Sequence, residues 1–323
     1  MPDLHAFPHG HLLSDLSRDN QGRVAAYLTL LQARQYAPLT LDHILSALKS
    51  FCRLLPEPRR GVIRQDFLQT TPDDVDAWLH AAYAKGLAPS TMQSTLGTVR
   101  GFFTFLHTDG ALPHHPIRPK RHEVNVPQHL PRPMAEADLV RFFQVIDVFR
   151  DRLMFLLMLR CGLRVGETAR LRWDAIAWEQ GALRIDNAKG AVDRVVYVSP
   201  DLEKALGQWR AIQPATDDYL FPSRWRRKAG QPVGRRLMQH LMTTYLDKAQ
   251  ITTGYSCHAL RHTFATQLLN AGASLDVIKE LMGHRSIDMV LRYAQLYEST
   301  KRQQYDHAMA QVTQRQRLSE GNR

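Results

Sequence analysis

Four short stretches of this chain carry residue types that could do chemistry together. Arg164 and Glu167 close the run Cys161-Gly-Leu-Arg-Val-Gly-Glu167, and Lys189 lies in Asn187-Ala-Lys-Gly190. His258 and Arg261 belong to His258-Ala-Leu-Arg-His262, and His284 follows Gly283 with Tyr293 nine residues further on. Singly, each has an ordinary reading: an i, i+3 ion pair for Arg164 and Glu167, an exposed turn lysine, a packed core histidine at His262, a core tyrosine. As a set they match the needs of phosphoryl transfer at a diester, which requires a nucleophile, a fork of donors for the nonbridging oxygens and an acid for the leaving oxygen. Arg164 and Arg261 suit the fork, because a planar guanidinium offers parallel hydrogen bonds to phosphate and keeps its charge. His258 and Arg261, three apart, share a helix face while Leu260, Phe264 and Leu268 point to another.

Helices must position most of these groups. After Pro200 the chain is helical, and one helix runs from a Ser274 cap to a Gly283 stop, burying Val277, Ile278 and Leu281. Upstream of the first motif, Leu139, Phe142, Phe143, Ile146 and Phe149 form an amphipathic helix and Leu153 to Leu159 an apolar one. Between Glu167 and Pro200, the runs Ile176 to Trp178, Leu183 to Ile185 and Val195 to Val198 read as a three-stranded antiparallel meander, with Lys189 in its second turn. Nearer the N-terminus, Leu41, Ile44, Leu45, Leu48 and Phe51 stripe a helix behind a Thr40 cap, and another opens at Thr71 and Pro72 and buries Val75, Trp78, Leu79 and Ala82. A further helix, with Ser90 and Gln93 as a capping box, buries Met92, Leu96, Val99, Phe103 and Leu106. Its opposite face carries Ser90, Thr91, Ser94, Thr95, Thr98 and Arg100, suited to a polyanion backbone or simply to water.

Between these halves, Leu112 to Pro133 holds six prolines among Arg118, Lys120, Arg121 and Arg132. Such composition reads as a semi-stiff basic linker able to follow phosphates. The organisation expected is a leader over 1–20, a helical DNA-binding domain over 21–111, the linker over 112–133, a catalytic domain over 134–298 and a polar tail over 299–323. The fold class is mainly α with a small antiparallel sheet, in two domains. A chain of 323 residues with 44% hydrophobic content can bury two cores.

Charge points to a polyanionic partner: the formal net charge is +11, and residues 1–110 are balanced at ten basic against ten acidic, so the excess falls entirely on the second half. No run of eighteen uncharged apolar residues and no secretory signal pattern is found, so a cytoplasmic, nucleoid-associated protein is expected. Cys52, Cys161 and Cys257 fit neither a zinc spacing nor a disulfide framework and are expected to be reduced.

The motifs resemble those of the tyrosine-recombinase (phage-integrase) family, whose catalytic set is Arg, Lys, His-x-x-Arg, His or Trp, and Tyr. Arg164, Lys189, His258, Arg261, His284 and Tyr293 occur in that order, and Leu130-Pro-Arg-Pro-Met134 resembles the family's lead-in to the catalytic domain. The resemblance spans residues 20 to 298. It implies cleavage of double-stranded DNA at a specific recombination site by Tyr293, through a 3′-phosphotyrosine and a free 5′-hydroxyl, in a homotetramer with strand exchange. It further implies no cofactor and no metal, with His258 handling the phenol proton, His284 on a nonbridging oxygen, Lys189 as general acid and Glu167 orienting Arg164. The chain departs from the commonest pattern in the turn, where Val192 and Asp193 replace a second lysine. Three alternatives remain at this level: a type IB topoisomerase, an inactive DNA-binding regulator, and a metal hydrolase built on His258 and His262.

Overall fold

The computed structural model describes residues 7, 10, 16–54, 66–127, 130–186, 193–213, 218–224, 229–283, 291, 305 and 309–310. The chain divides into two units, residues 1–128 and 129–323. Lys189, His284 and Tyr293, with nearly all of the leader and tail, lie outside the described residues.

Among the described residues the first unit holds four α-helices, α1 (Arg18–Ala33), α2 (Pro38–Leu54), α3 (Pro72–Ala84) and α4 (Pro89–Thr108), around a core that includes Leu28, Leu45, Phe51, Phe67, Trp78, Phe102 and Phe103. Helix α3 opens as expected: Thr71 caps it, Asp74 completes a capping box, and Pro72 occupies the first turn where its missing amide costs nothing. Two other starts differ. Helix α2 begins at Pro38, before Thr40, and α4 begins at Pro89 with no side-chain cap, so Ser90 and Gln93 form no capping box. In both cases a proline takes the position that sequence reading gave to a hydroxyl.

The proline-rich basic segment is not all linker. Leu112 and Ile117 are buried in the core of the first unit, where each apolar side chain contributes roughly 1.5–3 kcal/mol, more than a solvated spacer could forgo. Buried His122 accepts the Arg118 amide on Nδ1 (2.9 Å), and its Nε2 lies 3.1 Å from the Pro72 carbonyl oxygen, which fixes the donor on that side. Arg121, expected on a phosphate backbone, instead forks onto Asp76 (2.6 Å) and also pairs with Asp73. The acidic first turn of α3 thus claims it.

The second unit is built on α6 (Phe149–Cys161), whose Leu153, Met154, Phe155, Leu157 and Met158 are fully buried. Helix α5 (Glu136–Gln144) precedes it and ends earlier than expected, leaving Ile146 and Phe149 beyond its end. After the short α7 (Val165–Ala169) comes the meander, β1 (Ile176–Ala177), β2 (Ala182–Ile185) and β3 (Arg194–Tyr197), antiparallel in the order β1-β2-β3 as expected. Helices α8 (Pro200–Ile212) and α9 (Arg235–Lys248) then add to the core, and α10 (Cys257–Asn270) packs along α6. The unit closes on α11 (Leu275–Met282), capped by the Ser274 hydroxyl and stopped by Gly283 in the left-handed region at φ 61°. Ile278 is buried as expected and Leu281 is half-buried, but Val277 is 47% exposed, and Met282 takes the inward place instead. Among the described residues no helix is long and apolar enough to cross a membrane.

Candidate active site

Two glycines create the site. Gly162 ends α6 at φ 60° and Gly283 ends α11 at φ 61°, so both helices stop abruptly and leave C-terminal carbonyls without intrahelical partners. Three arginines from three other places supply the donors. Arg194 Nε donates to the Leu281 carbonyl (2.8 Å), Arg261 Nη2 to the Met282 carbonyl, and Arg164 Nη2 to the Gly283 carbonyl (3.2 Å). Three consecutive carbonyls at one helix end therefore gather three guanidiniums, which the partial negative charge of that end favours. Arg261 Nη1 also donates to the Gly162 carbonyl, tying the ends of α6 and α11 together.

The carboxylate of Glu167 balances part of this charge. Its Oε1 accepts from Arg164 Nη1 (2.8 Å) and Arg194 Nη1 (3.1 Å), and its Oε2 from the Arg164 amide (2.8 Å) and Arg194 Nη2 (2.7 Å). Burial alone would raise the pKa of this carboxyl, but hydrogen bonds and charge from Arg194, with further bonds from Arg164, outweigh it and hold the group at about 2. Arg164 caps α7 and its side chain stays 36% exposed. Arg261 lies three residues beyond His258 on the same helix but is 3% exposed, its guanidinium bonded to the two helix-end carbonyls.

His258 lies in the first turn of α10 and is exposed. Loss of hydration, followed by the charges of Arg261 and Arg164, lowers its pKa, which keeps the ring neutral and able to accept a proton at pH 7. One turn along, His262 is pushed down to about 4 by burial and by its neighbours His258 and Arg261. Among the described residues no group of three or more His, Cys, Asp or Glu side chains is arranged as a metal site, so His258 and His262 have no third ligand there. Helix α10 is held in place from the lead-in segment: the Met134 amide donates to Thr263 Oγ1 (2.8 Å), and that hydroxyl donates to the Ala259 carbonyl (2.8 Å).

The structure thus brings together Arg164, Glu167, His258 and Arg261, while Lys189, His284 and Tyr293 lie outside the described residues. Of the DNA-contact candidates, Ser90, Thr91, Ser94, Arg118 and Lys120 are exposed, Arg100 is half-buried, Thr95 on the same helix is buried, and Arg121 is committed to aspartates. Sequence reading missed Arg194. The signal was present in the strand alternation: Arg194 shares the inward face with Val196, an unusual place for a charge without a buried partner.

Half-exposed Arg164 and buried Arg261 thus meet beside an exposed histidine of lowered pKa, on a mainly helical frame with a small meander. Comparison with known proteins makes the class specific. Residues 132–300 match the phage integrase family and residues 24–110 its N-terminal SAM-like domain. Tyrosine recombinase XerD of Pseudomonas putida is 31% identical over 233 residues, covering 68% of this chain and 75% of that protein. Tyrosine recombinase XerA of Pyrococcus furiosus is 29% identical over 232 residues, covering 70% and 77%. A lambda integrase fragment, solved as a dimer bound to a COC′ core site, has the same fold at TM-score 0.69 and 16% identity, covering 84% of this chain and 94% of that one. The chain belongs to the phage integrase family and is a tyrosine recombinase.

Proposed function

We propose that this recombinase cuts one strand of double-stranded DNA at a specific site by attack of the Tyr293 phenol oxygen on a phosphodiester. The phosphorus–5′-oxygen bond breaks, the 3′-phosphate passes to Tyr293, and the freed 5′-hydroxyl carries the proton supplied by an acid. A 5′-hydroxyl from a partner strand then attacks the phosphotyrosine and regenerates the phenol. Bond energy is conserved across the two transesterifications.

The observation that carries this reading is the convergence of Arg164 and Arg261 on adjacent carbonyls, Gly283 and Met282, beside neutral His258. The two guanidiniums hold the nonbridging oxygens and stabilise charge as it builds on them. His258 takes the phenol proton, since a tyrosine of ordinary pKa of about 10 does not ionise unaided at neutral pH. Lys189 protonates the departing 5′-oxygen, and His284 adds a donor to the phosphate. Because solved lambda integrases are described as a dimer on a core site and a tetramer on a Holliday junction, we assign this chain a homotetramer that exchanges strands between two duplexes, working in the nucleoid-associated cytoplasm. The second unit follows the basic segment, with Arg118 and Lys120 open to phosphates and Ser90, Thr91 and Ser94 on the open side of α4.

Detergent quenching of the protein with fragmented DNA, followed by recovery and sequencing of the attached strand, tests the reading and maps the site. Wild type should yield DNA esterified to Tyr293. Tyr293→Phe should retain DNA affinity and yield no adduct; an adduct surviving in that variant would refute the nucleophile.

A further inference from the structure

Arg194 stands at the start of β3, its side chain 5% exposed, where it cannot reach a substrate. Three of its contacts nevertheless lead to the groups that do. Nη1 and Nη2 grip both oxygens of Glu167, and Nε holds the Leu281 carbonyl at the end of α11. Glu167 in turn grips Arg164 through the guanidinium and the backbone amide. Gly283 is shaped by the same side chain: a Cβ there would meet Arg194 Cδ at 3.0 Å.

Resting on the strand-transfer reading above, we infer that Arg194 is a positioning residue for cleavage, taking a share of the Glu167 carboxylate and anchoring the end of α11 so that Arg164 presents its remaining donors to the phosphate. Without it, the whole carboxylate falls to Arg164. A carboxylate and a phosphate then compete for one fork, and Arg164 is turned toward Glu167 and its charge offset. The end of α11, which leads directly to His284, also loses one of its three arginine anchors. Both effects act on the reacting geometry rather than on the surface that recognises DNA, so they should appear in the cleavage rate and not in affinity.

Arg194→Lys keeps a positive charge but cannot span both carboxylate oxygens and the carbonyl at once, and Arg194→Met keeps length without charge. With the adduct-forming duplex recovered from wild type, single-turnover cleavage should fall about 10- to 100-fold for Arg194→Met, the range expected when a reacting group is displaced by about an ångström, and less for Arg194→Lys. The apparent Kd should stay within about twofold. A second readout separates positioning from mere support of the fold. In Arg194→Met the Glu167 carboxyl, now facing only Arg164, loses part of what holds it ionised, so the acid limb of the rate profile should move to higher pH. Adding Glu167→Gln should abolish that movement. An unchanged cleavage rate in both variants overturns the inference. So does a parallel fall of affinity, rate and melting temperature with an unmoved acid limb, even if only the lysine variant folds well enough to measure. Absence of any adduct with wild type refutes the strand-transfer reading instead, and hydrogen exchange along α11 then reports on the anchor alone: it should quicken in the variants, and unchanged exchange overturns the inference.

Discussion

Glu167 is one carboxylate shared by two guanidiniums and a backbone amide, and its protonation state bears on the stability of the second unit. Its folded pKa of about 2 lies below its ordinary value of 4.5, so the stabilisation is full above about pH 4.5 and is lost as the pH falls toward 2. The shift corresponds to roughly 3 kcal/mol. Acid unfolding of the second unit, followed by circular dichroism at stepped pH, should therefore show a limb in that window that Glu167→Gln flattens at lower overall stability. The Arg164–Glu167 pair was legible in the sequence because its members are three residues apart and local spacing sets the contact. The third partner was not. Arg194 lies 27 residues from Glu167, on the third strand of a meander that must fold before the two can meet. Arg261 illustrates the same limit: helical spacing put it correctly beside His258, but the carbonyls that draw it inward come from α6 and α11.

At the level of elements, the chain's punctuation carried the most information. The Ser274 cap, the Gly283 stop, the Thr71–Pro72 start and the three-stranded meander are all signalled by residues at the element's own ends. Where proline and hydroxyl signals competed, as at Pro38 before Thr40 and Pro89 before Ser90, proline set the helix start, because its fixed φ already suits the first turn. Gly162 shows how much rests on one such mark. It holds φ 60°, and an added Cβ would sit 2.5 Å from the Phe264 ring. Gly162→Ala should lower stability by at least about 1–2 kcal/mol from the left-handed backbone alone, with ring displacement adding to that. Denaturant titration checks the loss. Gly207→Ala serves as the control, since its added methyl would have open space and no positive φ.

Over the whole molecule, the basic residues of the proline-rich segment are not equivalent. Of the basic residues in the proline-rich segment, Arg121 is spent on Asp73 and Asp76, whereas Arg118 and Lys120 remain exposed. DNA affinity should fall steeply with salt, by roughly 0.9 logarithmic units per logarithmic unit of salt for each phosphate neutralised. Titrations at several salt concentrations should show Lys120→Ala reducing that slope by about one and Arg121→Ala reducing it by less. Composition could not distinguish these residues, since being tied to aspartates 45 and 48 positions away is invisible to any local window.

The thiols have a use unrelated to recombination. Cys161, at the end of α6 and immediately before Gly162, is fully buried, and burial pushes its pKa up to about 12. A thiol so rarely ionised reacts with a disulfide reagent only when the surrounding core opens. Its modification rate in native buffer is therefore a clock for breathing of the scaffold under the arginines. The rate should slow when bound DNA holds that scaffold shut, giving a readout of engagement that needs neither cleavage nor a label.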